Sequence, residues 1–302
     1  MNSPLSSNLV TDETSAAPTD PIDIFRDARG LFTMVAVDQR GSLRHMLSAG
    51  HGNTVVTDEH LTAFKAHVID AVGDAASGVL LDQDFGFAAA TSSRCPVILA
   101  ADILSSSEPG GPVDIAVLDD AVTAETTERF GAKALKFLLP WHPSRRSEAI
   151  DLAHAFMARC RDIGLPGVLE GVVRPREGDT VTSEGFAEAL ITAAADLTQT
   201  QPDLYKTEVV YTSEQDHDLA VATARSISEQ LYCPWVVLSS GVSGENFPSA
   251  AAAAVTGGAS GFLAGRAVWS EATSAPQPEA YLKTHAANNL QKITDRVWAS
   301  LA

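Results

Sequence analysis

Short apolar or β-branched runs alternate along the chain with longer stretches whose apolar positions recur at helical spacing. The runs fall at 32–38, 78–82, 96–102, 133–139, 167–173, 203–208, 234–240 and 261–265. Between them the pattern predicts helices at about 58–74, 119–130, 143–163, 183–198 and 214–231, another starting near Asn246, and helical material over about 281–301. A helical turn through Phe87 and a Ser/Gly/Pro-rich loop at 105–112 fill shorter gaps. Eight strands alternating with helices over roughly 270 residues predict an α/β fold, the closed (β/α)8 or TIM barrel, in one domain. A doubly wound sheet would want G-x-G-x-x-G after the first strand, where this chain has Asp38-Gln-Arg-Gly-Ser42. Residues 1–20 are rich in Ser, Thr, Pro and Asn and lack a basic stretch followed by an apolar core. They read as a disordered leader and not a signal peptide, leaving 21–302 for the barrel and its final helices.

Of 302 residues, 45% are hydrophobic and 20% charged, enough apolar material for a sizeable core. The formal net charge of -17 argues against nucleic acid or an anionic membrane as a partner. An anionic substrate must therefore be held by local Arg, Lys and backbone N–H groups. Cys95, Cys160 and Cys233 lie far apart and read as reduced thiols. The eight histidines form no H-x-H or H-x-x-x-H pair, so no metal site is expected. Glycines 257, 258 and 261 break the most apolar stretch, which excludes a membrane-spanning helix and points to a soluble, cytoplasmic protein.

Active sites of this fold gather at the C-terminal ends of the strands. Here those ends carry Asp38, Asp82, Asp102, Lys136, Glu170, Lys206, Ser239-Ser240-Gly241 and Gly265-Arg266. Alternation puts Leu204, Lys206 and Glu208 on one face of their strand. A lysine aimed into a barrel lumen is partly desolvated, which disfavours its ammonium and frees the amine to attack a carbonyl. Lys133 and Lys136 differ by an odd number, so only one can face the lumen. Lys136, nearer the C-terminal end, is expected there, where it would further lower the pKa of the Lys206 amine. Glu170 and Asp38 end otherwise apolar strands, where an unpaired carboxylate is costly, and are the expected proton carriers. An amine nucleophile, a second cation and carboxylates are what Schiff-base chemistry requires. Ser239-Ser240-Gly241 and Gly265-Arg266 fall where many barrels bind phosphate through backbone N–H groups, and Arg266 adds a charged fork.

Five segments resemble the class I, Schiff-base aldolases of the tagatose-1,6-bisphosphate aldolase family. They are Ala36-Val-Asp-Gln-Arg-Gly41, Gly131-Ala-Lys-Ala-Leu-Lys-Phe-Leu138, Asp203-Leu-Tyr-Lys-Thr-Glu208, Pro234-Trp-Val-Val-Leu-Ser-Ser-Gly-Val242 and Gly258-Ala-Ser-Gly-Phe-Leu-Ala-Gly-Arg-Ala-Val-Trp269. Within that family they are most similar to the sulfofructosephosphate aldolase branch, as is Val172-Val-Arg-Pro175. Gln39-Arg-Gly-Ser42 is more similar to the tagatose enzymes. The resemblance, over about 25–275, implies that Lys206 is the Schiff-base lysine and that Glu170 and Lys136 handle protons. It further implies that Asp38 and Gln39 orient substrate hydroxyls and that Ser239, Gly241, Gly265 and Arg266 hold the phosphate of a dihydroxyacetone phosphate half. Arg174, Arg176 and Arg40 are the candidates for the anion on the far carbon, sulfonate or phosphate. The implied reaction is reversible retro-aldol cleavage of a small ketose phosphate, without a cofactor, in a homo-oligomer. A silent barrel that senses sugar phosphates would usually have lost Lys206, Glu170 or Lys136, and all three are present.

Overall fold

The apolar runs form β1 (Phe32–Ala36), β2 (Val79–Leu81) and β3 (Val97–Ala100). A two-stranded ribbon follows, β4 (Asp102–Ser105) and β5 (Ile115–Leu118). Then come β6 (Ala132–Trp141), β7 (Gly167–Val173), β8 (Leu204–Thr207), β9 (Trp235–Val237) and β10 (Gly261–Ala264). These strands belong to a computed structural model that describes residues 20–107, 112–174, 181–239 and 241–301. Eight strands close a barrel in the order β1-β2-β3-β6-β7-β8-β9-β10, and all neighbours are parallel. Closure between the last and first strands needs a glycine. Gly261 has φ +135°, and a Cβ there would lie 2.1 Å from the Phe32 carbonyl oxygen.

The helices are α1 (Gly41–Gly50), α2 (Asp58–Val72), α3 (Phe87–Ser92), α4 (Ala124–Phe130) and α5 (Arg146–Ile163). The chain continues with α6 (Ser183–Leu197), α7 (His217–Gln230), α8 (Phe247–Thr256), the single turn α9 (Arg266–Trp269) and α10 (Pro278–Ala299). Threonine hydroxyls start two of them: Thr123 accepts the Thr126 N–H and Thr182 the Gly185 N–H. No helix among the described residues is long and apolar enough to cross a membrane.

Alternation along the strands sorts the apolar residues into two cores. The larger one packs barrel against helices, with Val35, Leu81, Leu99, Phe137, Leu169 and Val237 facing out. The smaller fills the lumen with Met34, Leu80, Ile98, Ala134, Val168, Leu204, Val236 and Leu263. Its lower end is stoppered by a 3-10 turn, Pro21–Phe25, whose Ile22 and Phe25 are fully buried among the lumen residues. Asp20, expected in the leader, accepts the Ile22 N–H and so starts this turn. Residues 1–19 lie outside the described residues.

Three local expectations are corrected. The loop after β1 is followed at once by α1, whose apolar signal is only Leu43 and Leu47 buried between glycine ends. The third run is not one strand: β3 stops at Ala100, and Asp102 begins the antiparallel ribbon, which flanks the Ser/Gly/Pro-rich loop. The helix expected from Asp119 starts at Ala124. Asp119 instead closes a turn, accepting the Val122 N–H on its carbonyl and the Ala121 N–H on its carboxylate.

Candidate active site

Parity along β6, β7 and β8 carries the polar cluster. Below the top of the lumen each strand contributes Ala134, Val168 or Leu204; two residues on come Lys136, Glu170 and Lys206. Glu170 and Lys206 are register partners on adjacent strands, and Lys206 Nζ lies 3.0 Å from Glu170 Oε2. Lys136 Nζ reaches the same oxygen at 2.9 Å, Asp38 Oδ2 at 2.9 Å and Asp102 Oδ2 at 3.1 Å. Lys136 is 1% exposed, Lys206 4% and Glu170 5%, so their charges balance one another with little help from water. Lys133 is exposed on the other face of the strand.

Burial alone would raise both carboxyl pKa values, but here it is outweighed. Lys136 and Lys206, with Arg40 behind them, hold Asp38 far below the usual carboxylate range. The same two lysines pull Glu170 down, against both its burial and the neighbouring Asp38 charge. For Lys136, burial lowers the pKa, but Asp102, Asp38 and Glu170 together raise it well above normal. Lys136 therefore stays an ammonium, and Glu170 is a carboxylate shared by two lysines.

Asp102, fully buried where β4 begins, is the hub behind this cluster. Its Oδ2 accepts Lys136 Nζ and the Leu138 N–H, and its Oδ1 accepts Arg40 Nη2 at 3.0 Å. Arg40 also donates to the Asp102 carbonyl at 2.6 Å. Arg40 was a candidate for the far-carbon anion; its fork is turned instead onto Asp102, with Asp84 at 3.9 Å. Arg174 is likewise engaged. It donates to the carbonyls of Val113 and Val173, each at 2.8 Å, and to Glu208 Oε1 at 3.0 Å. Glu208 also accepts the Val173 N–H, so it braces the end of β7 and does not join Lys206. Burial raises its pKa, and Arg174 only partly offsets that.

On the far side of the lumen, Ser239 Oγ accepts the Gly265 N–H at 3.2 Å. Gln39 packs on the same glycine: a Cβ on Gly265 would lie 3.2 Å from Gln39 Nε2 and 3.3 Å from the Ala36 carbonyl oxygen. Gln39 Oε1 is buried and has no hydrogen-bond partner among the described residues. Gly241 turns in the left-handed region at φ +80°, and Arg266 begins α9 on the exposed side. Trp269 Nε1 ties α9 back to the Ala36 carbonyl at 2.9 Å, so the ends of β10 and β1 are held together. Ser240 and Arg176 lie outside the described residues. Among the described residues no group of three or more His, Cys, Asp or Glu side chains is placed to hold a metal ion.

One buried ion pair went unforeseen. Lys65 of α2 is fully buried and pairs with Asp82 at the end of β2. The signal was in the helix pattern, because Lys65 interrupts the buried stripe of Leu61, Phe64, Val68, Ile69 and Val72.

A parallel eight-stranded barrel thus gathers two lysines and three carboxylates at the top of its lumen. The chain belongs to the DeoC/LacD family of aldolases, whose family model matches residues 32–271, and it is a lyase. It is similar to tagatose 1,6-diphosphate aldolase 2 of Enterococcus faecalis, 26% identical over 92% of this chain and 93% of that one. Tagatose 1,6-diphosphate aldolase of Staphylococcus epidermidis is 27% identical over 83% and 84%. Among solved structures, an archaeal fructose 1,6-bisphosphate aldolase shares the fold at TM-score 0.64 and 16% identity, covering 92% of this chain and 98% of that one. A fructose-bisphosphate aldolase from Slackia heliotrinireducens does so at TM-score 0.63 and 16% identity, with 93% and 89% covered.

Proposed function

We propose that the chain is a Schiff-base aldolase that cleaves 6-deoxy-6-sulfofructose 1-phosphate to dihydroxyacetone phosphate and sulfolactaldehyde. The observation that carries the mechanism is the single Glu170 oxygen placed 3.0 Å from Lys206 Nζ and 2.9 Å from Lys136 Nζ. Lys206 attacks the ketose C2 carbonyl. Glu170 moves protons between the amine and the departing carbinolamine oxygen, and Lys136 stabilises the charge that develops there. The protonated imine then accepts the electrons of the C3–C4 bond as the C4 hydroxyl loses its proton. Glu170 lies against Lys206 and is the base, and Asp38, held on Lys136, is the orienting acceptor. Gln39 Oε1 is a second acceptor for a substrate hydroxyl. Ser239, Ser240, Gly241, Gly265 and Arg266 hold the phosphate on C1.

Charge supports a sulfonate on the far carbon. Arg40 and Arg174 are each neutralised by a buried carboxylate, so the described residues leave little surplus positive charge there. A sulfonate carries one negative charge, whereas a phosphate carries about 1.5 to 2 at pH 7. The segment around Arg174 also resembles the sulfo-sugar branch. The second reading, tagatose 1,6-bisphosphate, is favoured by what the Enterococcus and Staphylococcus relatives are named for. The two are separated by comparing kcat/KM for both ketoses and for fructose 1,6-bisphosphate. The sulfonated sugar is expected to lead by about 10- to 200-fold, the scale of one side-group contact. A lead by tagatose 1,6-bisphosphate replaces the first reading with the second.

A further inference from the structure

Lys65 does nothing in the chemistry proposed above, yet it is fully buried. Burying an ammonium costs several kcal/mol unless every proton finds an acceptor. Lys65 has three protons and three acceptors: the Val37 carbonyl at 2.5 Å, the Gln39 carbonyl at 2.8 Å, and the Asp82 carboxylate. Asp82 turns its other oxygen to the N–H groups of Asp84 and Phe85, at 3.1 and 2.9 Å. The pair thus joins the loop after β1 to the loop after β2 from the helix side.

The two carbonyls are those of the residues on either side of Asp38. β1 ends at Ala36, and the last contact with the β2 ladder is the Val37 N–H on the Leu80 carbonyl. Beyond that point the barrel no longer dictates the backbone, and Lys65 supplies the missing constraint. Asp38 projects from the pinned segment to Lys136, and Gln39 to Gly265. A purely structural role is a poor explanation of the arrangement. Well-packed apolar residues in place of a buried ion pair are often as stable or more so.

We infer that Lys65, held by Asp82, is a positioning residue that fixes the Val37–Gln39 backbone, so that Asp38 meets Lys136 and Gln39 faces the substrate. This inference rests on the Schiff-base reading of the lumen. The test is the double variant Lys65→Met/Asp82→Asn, which removes both charges while the Asn oxygen can still accept the Asp84 and Phe85 N–H groups. It is measured for Tm, for the borohydride-trapped adduct with dihydroxyacetone phosphate, and for kcat on a ketose phosphate, with and without Asp38→Asn. The double variant is expected to fold with nearly wild-type Tm and to lose kcat by about 10- to 100-fold, as for a reacting group displaced by roughly 1 Å. Asp38→Asn is expected to cost much less in this background than in the wild type, because its carboxylate is already misplaced. An unchanged kcat, or an equal Asp38→Asn penalty in both backgrounds, overturns the inference. Lys65→Arg retains the charge but cannot put one nitrogen on both carbonyls, and guards against a double variant that fails to fold. It is expected to show the same kcat loss, and wild-type kcat overturns the inference too. If wild-type protein forms no adduct, the Schiff-base reading falls and takes this one with it. If wild type and double variant both form the adduct and turn over equally, only this one falls.

Discussion

Glu170 is the residue whose surroundings say most about its role. A buried glutamate next to one lysine would be an ordinary ion pair; here one oxygen is shared by two. Glu170→Gln keeps the shape and removes the shuttle, and is expected to lower kcat by about 100- to 10,000-fold without emptying the phosphate site. Single-turnover kinetics, with the KM measured alongside, would check it. The depressed pKa values also set an acid limit on stability. Asp38 and Glu170 titrate lower when folded than their unfolded values of about 3.9 and 4.3. The unfolded chain therefore binds their protons first as the pH falls. The stability they contribute is complete above about pH 4.3 and is lost below it, as the pH falls through the folded values. Urea unfolding at stepped pH is expected to show a steep decline below about pH 4, and Asp38→Asn a flatter one. Lys136→Met would leave Asp38 buried without its main cation, and is expected to cost about 3–5 kcal/mol in the same measurement at pH 7.

At the scale of elements, the long strands and helices were legible because their periodicities, two and about 3.6, extend over enough residues to be distinctive. The odd spacing of Lys133 and Lys136 let only one of them face inward, and nearness to the C-terminal end of the strand picked out Lys136. Two short elements were not legible. α1 offers two buried leucines in ten residues, and the β4–β5 ribbon alternates Ile103, Ile115 and Val117 on a face that stays exposed. The site was legible where residues follow strand parity, as for Asp38, Lys136, Glu170 and Lys206. It was not legible where tertiary contacts redirect a long side chain: Arg40 to Asp102, Arg174 to Glu208, Lys65 to the Val37 and Gln39 carbonyls. An arginine in a loop shows no partner in sequence. The stopper at the foot of the barrel belongs to the same class. Phe25 lies in a short 3-10 turn, yet it is fully buried under Gly78, where a Cβ would meet its ring at 2.6 Å. Phe25→Ala is expected to cost about 3–5 kcal/mol by urea unfolding while leaving imine formation in the surviving folded protein unchanged.

For the molecule as a whole, the barrel brings eight strand ends to one rim, and so residues from 38 to 266 in the sequence can share one lumen. The net charge of -17 makes local compensation necessary. Around the reacting groups Lys136, Lys206 and Arg40 face Asp38, Asp102 and Glu170, cations matching carboxylates one for one. With the imine as electron sink, turnover is expected to survive excess EDTA undiminished, and a loss restored by a divalent metal would speak for metal-assisted cleavage. Everything proposed for the lumen depends on Lys206 being the amine that captures substrate. The most direct test is borohydride reduction in the presence of dihydroxyacetone phosphate, followed by intact and peptide mass spectrometry, on wild type and Lys206→Ala. The expected result is one reduced adduct on the peptide carrying Lys206, absent from the variant. No adduct from folded wild-type protein under excess ligand, or an adduct on Lys136 or Lys65 in its place, would contradict the Schiff-base assignment.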